Sequence, residues 1–231
     1  MLTVYDIEYN NRRACDFGVF LQEYPKFSGA KKDYTTTSIQ GRRGQLVSTD
    51  NYVENLTISC VFAVISPIFE NTIRSLRIWL SGSGIMRFSG SPNIFYKVVK
   101  IEHDSLEREL RTYGTFTVNF ICDPFEYLDS GQIIVSSVTY NSFSTSHPIY
   151  YISGSGSFSL MVNGNVMTGV SNPDIVVDTE KMMAYRNDGT IQNVAVSGDY
   201  EKLYLVPGEN TISITPDTFD LHIKPNWGYE L

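Results

Sequence analysis

Trp227-Gly228-Tyr229-Glu230 places an indole and a carboxylate three residues apart near the C-terminal end of the chain. Residues of these types are able to bind a sugar, an indole stacking on its apolar face and a carboxylate accepting bonds from its hydroxyls. The structural reading of Trp227 and Glu230 is simpler: a terminal aromatic buries a large area and ties down an end that would otherwise fray. No other residues have catalytic spacing. His103, His147 and His222 lie far apart, with no partner at metal-ligand or nucleophile spacing. Gly82-Ser83-Gly84 and Gly154-Ser155-Gly156 lack the spacing of a nucleophile elbow and read as turns. Glu102, Asp104, Glu107 and Glu109 invite a reading as paired carboxylates for sugar hydrolysis. Lys100, Arg108 and Arg111 are interspersed among them, which describes a mixed charged loop instead. There is no phosphate loop or dinucleotide fingerprint. The reading assigns no catalytic, metal or cofactor-binding residue, and the chain is expected not to be an enzyme.

One basic cluster stands out. Gln40-Gly41-Arg42-Arg43-Gly44-Gln45-Leu46 is a compact turn between two β-prone segments. Glycines supply positive φ at a hairpin tip, and arginines there are ordinarily solvated. The functional alternative is a contact between subunits, because arginine forks bind carboxylates bidentately and are enriched at interfaces. Arg42 and Arg43 are the candidate interface residues.

The elements that would hold these residues are mostly strands. Leu56, Ile58, Cys60, Phe62 and Val64 share one face of a strand over 53–65. Thr57, Ser59, Val61 and Ala63 make the other face only half polar, so both faces are expected to be covered. Ser66 is placed to cap a helix, with Pro67 at its first position, and Ile73, Leu76 and Leu80 recur at helical spacing before Gly82 and Gly84. Strands follow over 93–101 and 115–122. Pro124 stops the last of them, and a Ser-, Thr-, Gly- and Asn-rich stretch over 129–147 reads as a connection to a second domain. The expected division is 1–130 and 131–231.

In the second part Phe158, Leu160 and Val162 alternate with polar neighbours and run into Asn163-Gly164, the strongest two-residue hairpin signal. Short strands are expected at 175–177, at 203–206 and around Ile212 and Ile214, then where Phe219, Leu221 and Ile223 alternate, with turns at Asp188-Gly189 and Pro207-Gly208-Glu209-Asn210. Strands at this spacing describe a sandwich or jelly roll.

At 231 residues the chain has room for one or two cores. Charged residues are 19% and hydrophobic residues 42%, which leaves much neutral surface for partners. No apolar run reaches the roughly 18 residues of a membrane span and no signal pattern opens the chain, so synthesis in the cytoplasm without membrane insertion is expected. A net charge of -7 against 18 Lys plus Arg argues against sequence-independent nucleic-acid binding. Cys15, Cys60 and Cys122 are odd in number, and two lie in strand patterns as small apolar side chains.

Four motifs occur in order: Gly41-Arg42-x-Gly44-x-Leu46, Tyr52-x-x-x-Leu56-x-Ile58, Arg74-x-x-Arg77-x-Trp79-Leu80, and Gly114-x-Phe116-x-Val118-x-Phe120-x-Cys122-Asp123-Pro124-Phe125-x-Tyr127. With Val176-Val177-Asp178-Thr179 and Pro207-Gly208-x-Asn210 farther on, the chain resembles the distal tail proteins of long, non-contractile phage tails that infect Gram-positive bacteria. The resemblance implies a mainly β protein with an N-terminal β-sandwich-like ring domain carrying one α-helix and a C-terminal galectin-like β-sandwich. It further implies a structural hub of the tail tip or baseplate in the virion, assembled as a hexameric ring. The ring would join the major tail tube protein to the tail-associated or tail fibre protein and to a receptor-binding protein. The alternative, from a different class, is a carbohydrate-binding module of a host-recognition device. Trp-Gly-x-Glu is a galectin pattern, but there it is internal and accompanied by His-x-Asn-Pro-Arg, which this chain lacks.

Overall fold

The computed structural model describes residues 5–28, 32–103, 107–110 and 112–231, with only the backbone described for 32–34, 48–52 and 107–110. The fold is mainly β, with one α-helix among the described residues. The chain divides into two compact units, Met1–Glu126 with Leu231, and Tyr127–Glu230.

The first unit is built on an antiparallel sheet. Its central pair is Leu56–Ile65 against Tyr113–Cys122, in register over ten residue pairs from Ile65 opposite Tyr113 to Leu56 opposite Cys122. Leu56, Ile58, Cys60, Phe62 and Val64 are all buried, as their alternation requires, and Val118, Phe120 and Cys122 join them. The opposite face, Thr57, Ser59, Val61 and Ala63, is half-buried. Ile94–His103 flanks Tyr113–Cys122, followed outward by Gly84–Phe88, Ile7–Tyr9 and Arg12–Arg13; Val19–Leu21 lies on the far side of Leu56–Ile65. The sheet folds over its own core, for Phe27 at one end reaches the rings of Phe88 and Tyr96 at 6.0 and 5.9 Å.

The helix spans Phe69–Trp79 and buries Phe69, Leu76 and Trp79, with Ile73 packed beside them. Ser66 is not its cap. Ile68 occupies that position without a side-chain bond. Ser66 Oγ instead accepts from Ile68 N–H at 3.2 Å and from Thr72 Oγ1 at 2.8 Å. Pro67 falls in the turn ahead of the helix, where its fixed φ and missing N–H are tolerated, and the helix begins at Phe69. At the other end Trp79 Nε1 donates to the carbonyl of Tyr9 at 3.0 Å and the indole stacks on Phe17 at 4.8 Å, which fixes the helix against the sheet margin.

The second unit is a sandwich of two four-stranded antiparallel sheets. One runs Met183–Tyr185, Asp174–Asp178, Ile149–Ser153, Asp220–Lys224; the other runs Val196–Ser197, Asn165–Ser171, Gly156–Val162, Ile212–Thr215. Phe158, Leu160 and Val162 face Tyr150, Ile152, Ile175, Val177 and Ile223 in the shared core. Asn163 and Gly164 take φ of 51° and 82°, the left-handed pair that a tight hairpin demands. Two readings are corrected here. The 203–206 segment is a 3-10 turn, Tyr200–Leu203, leading to a single bridge between Leu205 and Ser146. The 129–147 stretch is not a free connection. Asn226 N–H donates to Gly131 O at 2.8 Å, Val135 and Ile223 exchange bonds of 2.8 and 2.7 Å, and Tyr140–Asn141 pairs with Gly208–Glu209. Its polar side chains do the joining: buried Asn141 donates to Leu205 O at 3.1 Å and accepts from Phe143 N–H at 2.8 Å. Side chains of this kind bond to backbone in place of a ladder, so a polar composition is compatible with a fixed path.

Candidate functional site

The basic turn sits at the end of a two-stranded arm. Lys32–Thr37 pairs antiparallel with Leu46–Val53, Thr36 opposite Val47 and Thr37 opposite Leu46, and the pair forms a sheet of its own. Between the strands Arg42 N–H donates to Ile39 O at 3.2 Å. Gly41 and Gly44 take φ of 87° and 84°, a conformation a side chain would strain. Every residue from Thr35 to Val47 is exposed. Arg42 and Arg43 therefore project from the tip, with no ion-pair partner among the described residues, and Ile39, Leu46 and Val47 lie bare beside them. A two-stranded hairpin alone in water is marginally stable at best. The arm thus presents apolar stem positions and two exposed guanidinium groups, the combination that meets a complementary acidic and apolar surface.

Trp227 and Glu230 occupy a different setting. Trp227 is half-buried, its carbonyl accepting from Leu128 N–H at 2.8 Å and its ring 5.9 Å from that of Phe143. Gly131 lies so close that a Cβ there would come within 2.1 Å of the Trp227 nitrogen. Tyr229 meets Phe143 edge-on at 5.6 Å, and Glu230 N–H donates to Ser144 Oγ at 3.0 Å. The Trp227 backbone and ring both meet the 128–144 segment.

The remaining candidates stay apart. His103 Nε2 is 2.8 Å from Leu80 O in the first unit, while His147 stacks on Tyr204 at 4.0 Å in the second. His222 is exposed on a sheet face. Glu102 pairs with Lys100 at 2.6 Å. Glu107, Arg108 and Glu109 are described only in backbone, and Asp104 and Arg111 lie outside the described residues. Among the described residues no three His, Cys, Asp or Glu side chains gather as metal ligands would, and no helix is long and apolar enough to cross a membrane. Cys60 and Cys122 are buried free thiols, and burial pushes both up, Cys122 to about 12, so neither is a poised nucleophile.

Sequence reasoning missed the short outer strands Ile7–Tyr9, Val19–Leu21 and Gly84–Phe88, although Ile7 and Tyr9 alternate and both are fully buried. It also missed that strand register sets Tyr185, Val176, Tyr151 and His222 in one row across four strands.

No protein-family model matches the sequence, and no curated protein is similar to it in sequence. The fold is another matter. The chain is similar to the crystal structure of the SPP1 Dit (gp 19.1) protein, described as a paradigm of the hub adsorption apparatus in Gram-positive infecting phages. The two superpose with a TM-score of 0.71 over 96% of this chain and 98% of that one, at 16% sequence identity.

Proposed function

We propose that the chain is a structural hub of a phage tail tip, whose copies close into a six-membered ring joining the tail tube to tail-associated and receptor-binding components. The observation that carries this reading is the end-to-end likeness to a tail hub protein, both units included. The exposed arm supports self-assembly, since a closed ring needs each copy to offer two different complementary patches. Arg42 and Arg43, with Ile39, Leu46 and Val47, form one of them, and the acidic surface of a neighbouring copy of net charge -7 is the counterpart. The mechanism is assembly around an opening, with no chemical step. That opening is expected to be neutral or acidic, so that duplex DNA passes without being held.

The test is the mass in solution by light scattering, with negative-stain images of the same sample. Rings of six chains are expected, and a chain that remains monomeric up to the highest soluble concentration overturns the ring.

A further inference from the structure

Asn163-Gly164 is the one Asn-Gly pair in the sequence. Such a pair is chemically unstable in a free chain, because glycine leaves its own nitrogen unhindered. The Gly164 nitrogen attacks Asn163 Cγ, the N–Cγ bond forms, the Cγ–Nδ2 bond breaks, and the amide nitrogen leaves as ammonia with the Gly164 proton. Water then opens the cyclic imide at either carbonyl. The product is an aspartate, or an isoaspartate whose main chain runs through the side-chain carbon.

In the folded chain both ends of the reacting amide are occupied. Asn163 Nδ2 donates to Asn210 Oδ1 at 2.9 Å and Oδ1 accepts from Thr211 N–H at 2.9 Å, while Asn163 N–H donates to Thr211 O at 2.8 Å. The side chain is thus directed across to residues 210 and 211, which also hold its backbone. Asn210 is only 4% exposed and is fixed in turn by Val206, Gly208 and, through its own N–H, Thr139 O at 2.9 Å. For the imide to close, Asn163 Cγ must turn to the Gly164 nitrogen, which breaks both side-chain bonds. Crowding gives no protection. Gly164 is exposed, and beyond its chain neighbours nothing lies within 4 Å of where a Cβ would stand.

We propose that Asn163 is a latent deamidation site, held shut by Asn210 and Thr211, and that its reaction unclips the 162–165 hairpin irreversibly. The product carboxylate has no hydrogen to give to Asn210 Oδ1. Asn210 cannot turn its amide to donate in return, because its oxygen would then face the carbonyls of Val206 and Gly208 and its NH2 the Val206 N–H. An oxygen facing an oxygen therefore replaces the bond. The isoaspartate form also lengthens a loop whose two residues are fixed by the pairing of Val162 with Asn165. The inference does not depend on the hub reading.

The full-length protein is incubated at mildly alkaline pH, folded and unfolded in urea, and the peptide containing Asn163 is followed by mass spectrometry with isoaspartate detection. Deamidation is expected to be slower in the folded chain by roughly tenfold to a hundredfold, the worth of two net hydrogen bonds. Asn210→Ala is expected to remove most of that protection. Asn141→Ala, which deletes another buried asparagine of the same unit with its bonds to Leu205 O and Phe143 N–H, is expected to leave it in place. Hydrogen exchange at Thr211 N–H, read on the unaltered protein, reports the closed tether directly and should be slowed by a similar factor. Asn163→Asp, the product made directly, is expected to melt lower than the parent. Equal rates in folded and unfolded chains overturn the proposal, as does a Thr211 N–H that exchanges as freely as in an unfolded chain. Equal acceleration by Asn210→Ala and Asn141→Ala overturns it too, by assigning the protection to overall stability, and an unchanged melting temperature for Asn163→Asp overturns the unclipping.

Discussion

Asn163 Nδ2 donates to Asn210 Oδ1 at 2.9 Å, tying two turns that lie far apart in sequence. Asn210 is nearly buried and also accepts from Val206 N–H at 3.0 Å and donates to Val206 O and Gly208 O at 2.8 and 3.0 Å. Asn163 Oδ1 returns the link by accepting from Thr211 N–H at 2.9 Å. One side chain thus closes its own turn and clips it to the 162–165 hairpin. Asn210→Ala leaves those backbone groups orphaned, and an unsatisfied buried group costs about 1–3 kcal/mol. Urea unfolding is expected to show a loss in that range, against a near-neutral effect for Asn187→Ala on the surface.

The arm makes a separable prediction. Replacing Arg42 and Arg43 together by Ala removes no bond within the described chain, and exposed charges contribute little to monomer stability. Truncating charges that are paired and desolvated at an interface costs about 2–5 kcal/mol. Light scattering of the double variant should show weakened assembly at an unchanged monomer melting temperature. Unchanged assembly would return both residues to the role of a solvated turn.

Independence of the two halves, proposed from composition at residues 130 and 131, can be tested with fragments. A 127–231 piece keeps the Leu128 to Trp227, Gly131 to Asn226 and Val135 to Ile223 bonds. A 136–231 piece loses all of them and uncovers Trp227. The longer fragment is expected to unfold cooperatively and the shorter one to melt lower or not to fold. Equal stability of the two would mean that the 127–135 segment is only a tether.

Alkaline stability follows from the buried acids. Burial raises the Tyr150 hydroxyl above its ordinary value of 10.0, Tyr96 is raised likewise by burial and by its bond to Glu126, and Tyr185 rises to about 12. Cys122 rises from 9.0 to about 12, also by burial. Each group is neutral when its pKa is raised, so the unfolded chain gives up its proton first. The stabilisation is whole below pH 9, falls from there as unfolded thiols and then phenols ionise, and for Cys122 and Tyr185 is gone above about pH 12. Unfolding midpoints should decline over that window, and tyrosinate absorbance for Tyr150 should appear together with loss of structure.

The parts legible in the sequence were those whose cause is local. Leu56 to Val64 alternate because one face is buried, and Asn163-Gly164 can adopt the backbone that a two-residue hairpin needs, so both were readable from neighbours alone. Ser66 was misplaced because a hydroxyl two residues ahead of the cap position, Ile68, bonds much as a cap does. The 203–206 segment looked like a strand because Leu203 and Leu205 are both buried, a spacing that a 3-10 turn followed by one bridge satisfies equally. The row Tyr185, Val176, Tyr151, His222 had no local signature at all, because it is aligned by strand register, and register between distant strands is set by the whole core.

The ten-pair match between Leu56–Ile65 and Tyr113–Cys122 has a consequence for how the molecule is made. The two strands are separated by the helix and three further strands, so the centre of the first sheet is not complete until Cys122 has left the ribosome. Until then the stripe from Leu56 to Val64 lacks its long partner, and such stripes are where nascent chains aggregate. Contacts this distant also slow folding, because the loop must close before any pairing rewards it. The centre of the N-terminal sheet is thus completed late, and before Cys122 emerges Leu56–Ile65 has only the short strands Val19–Leu21 and Lys26–Phe27 to pair with.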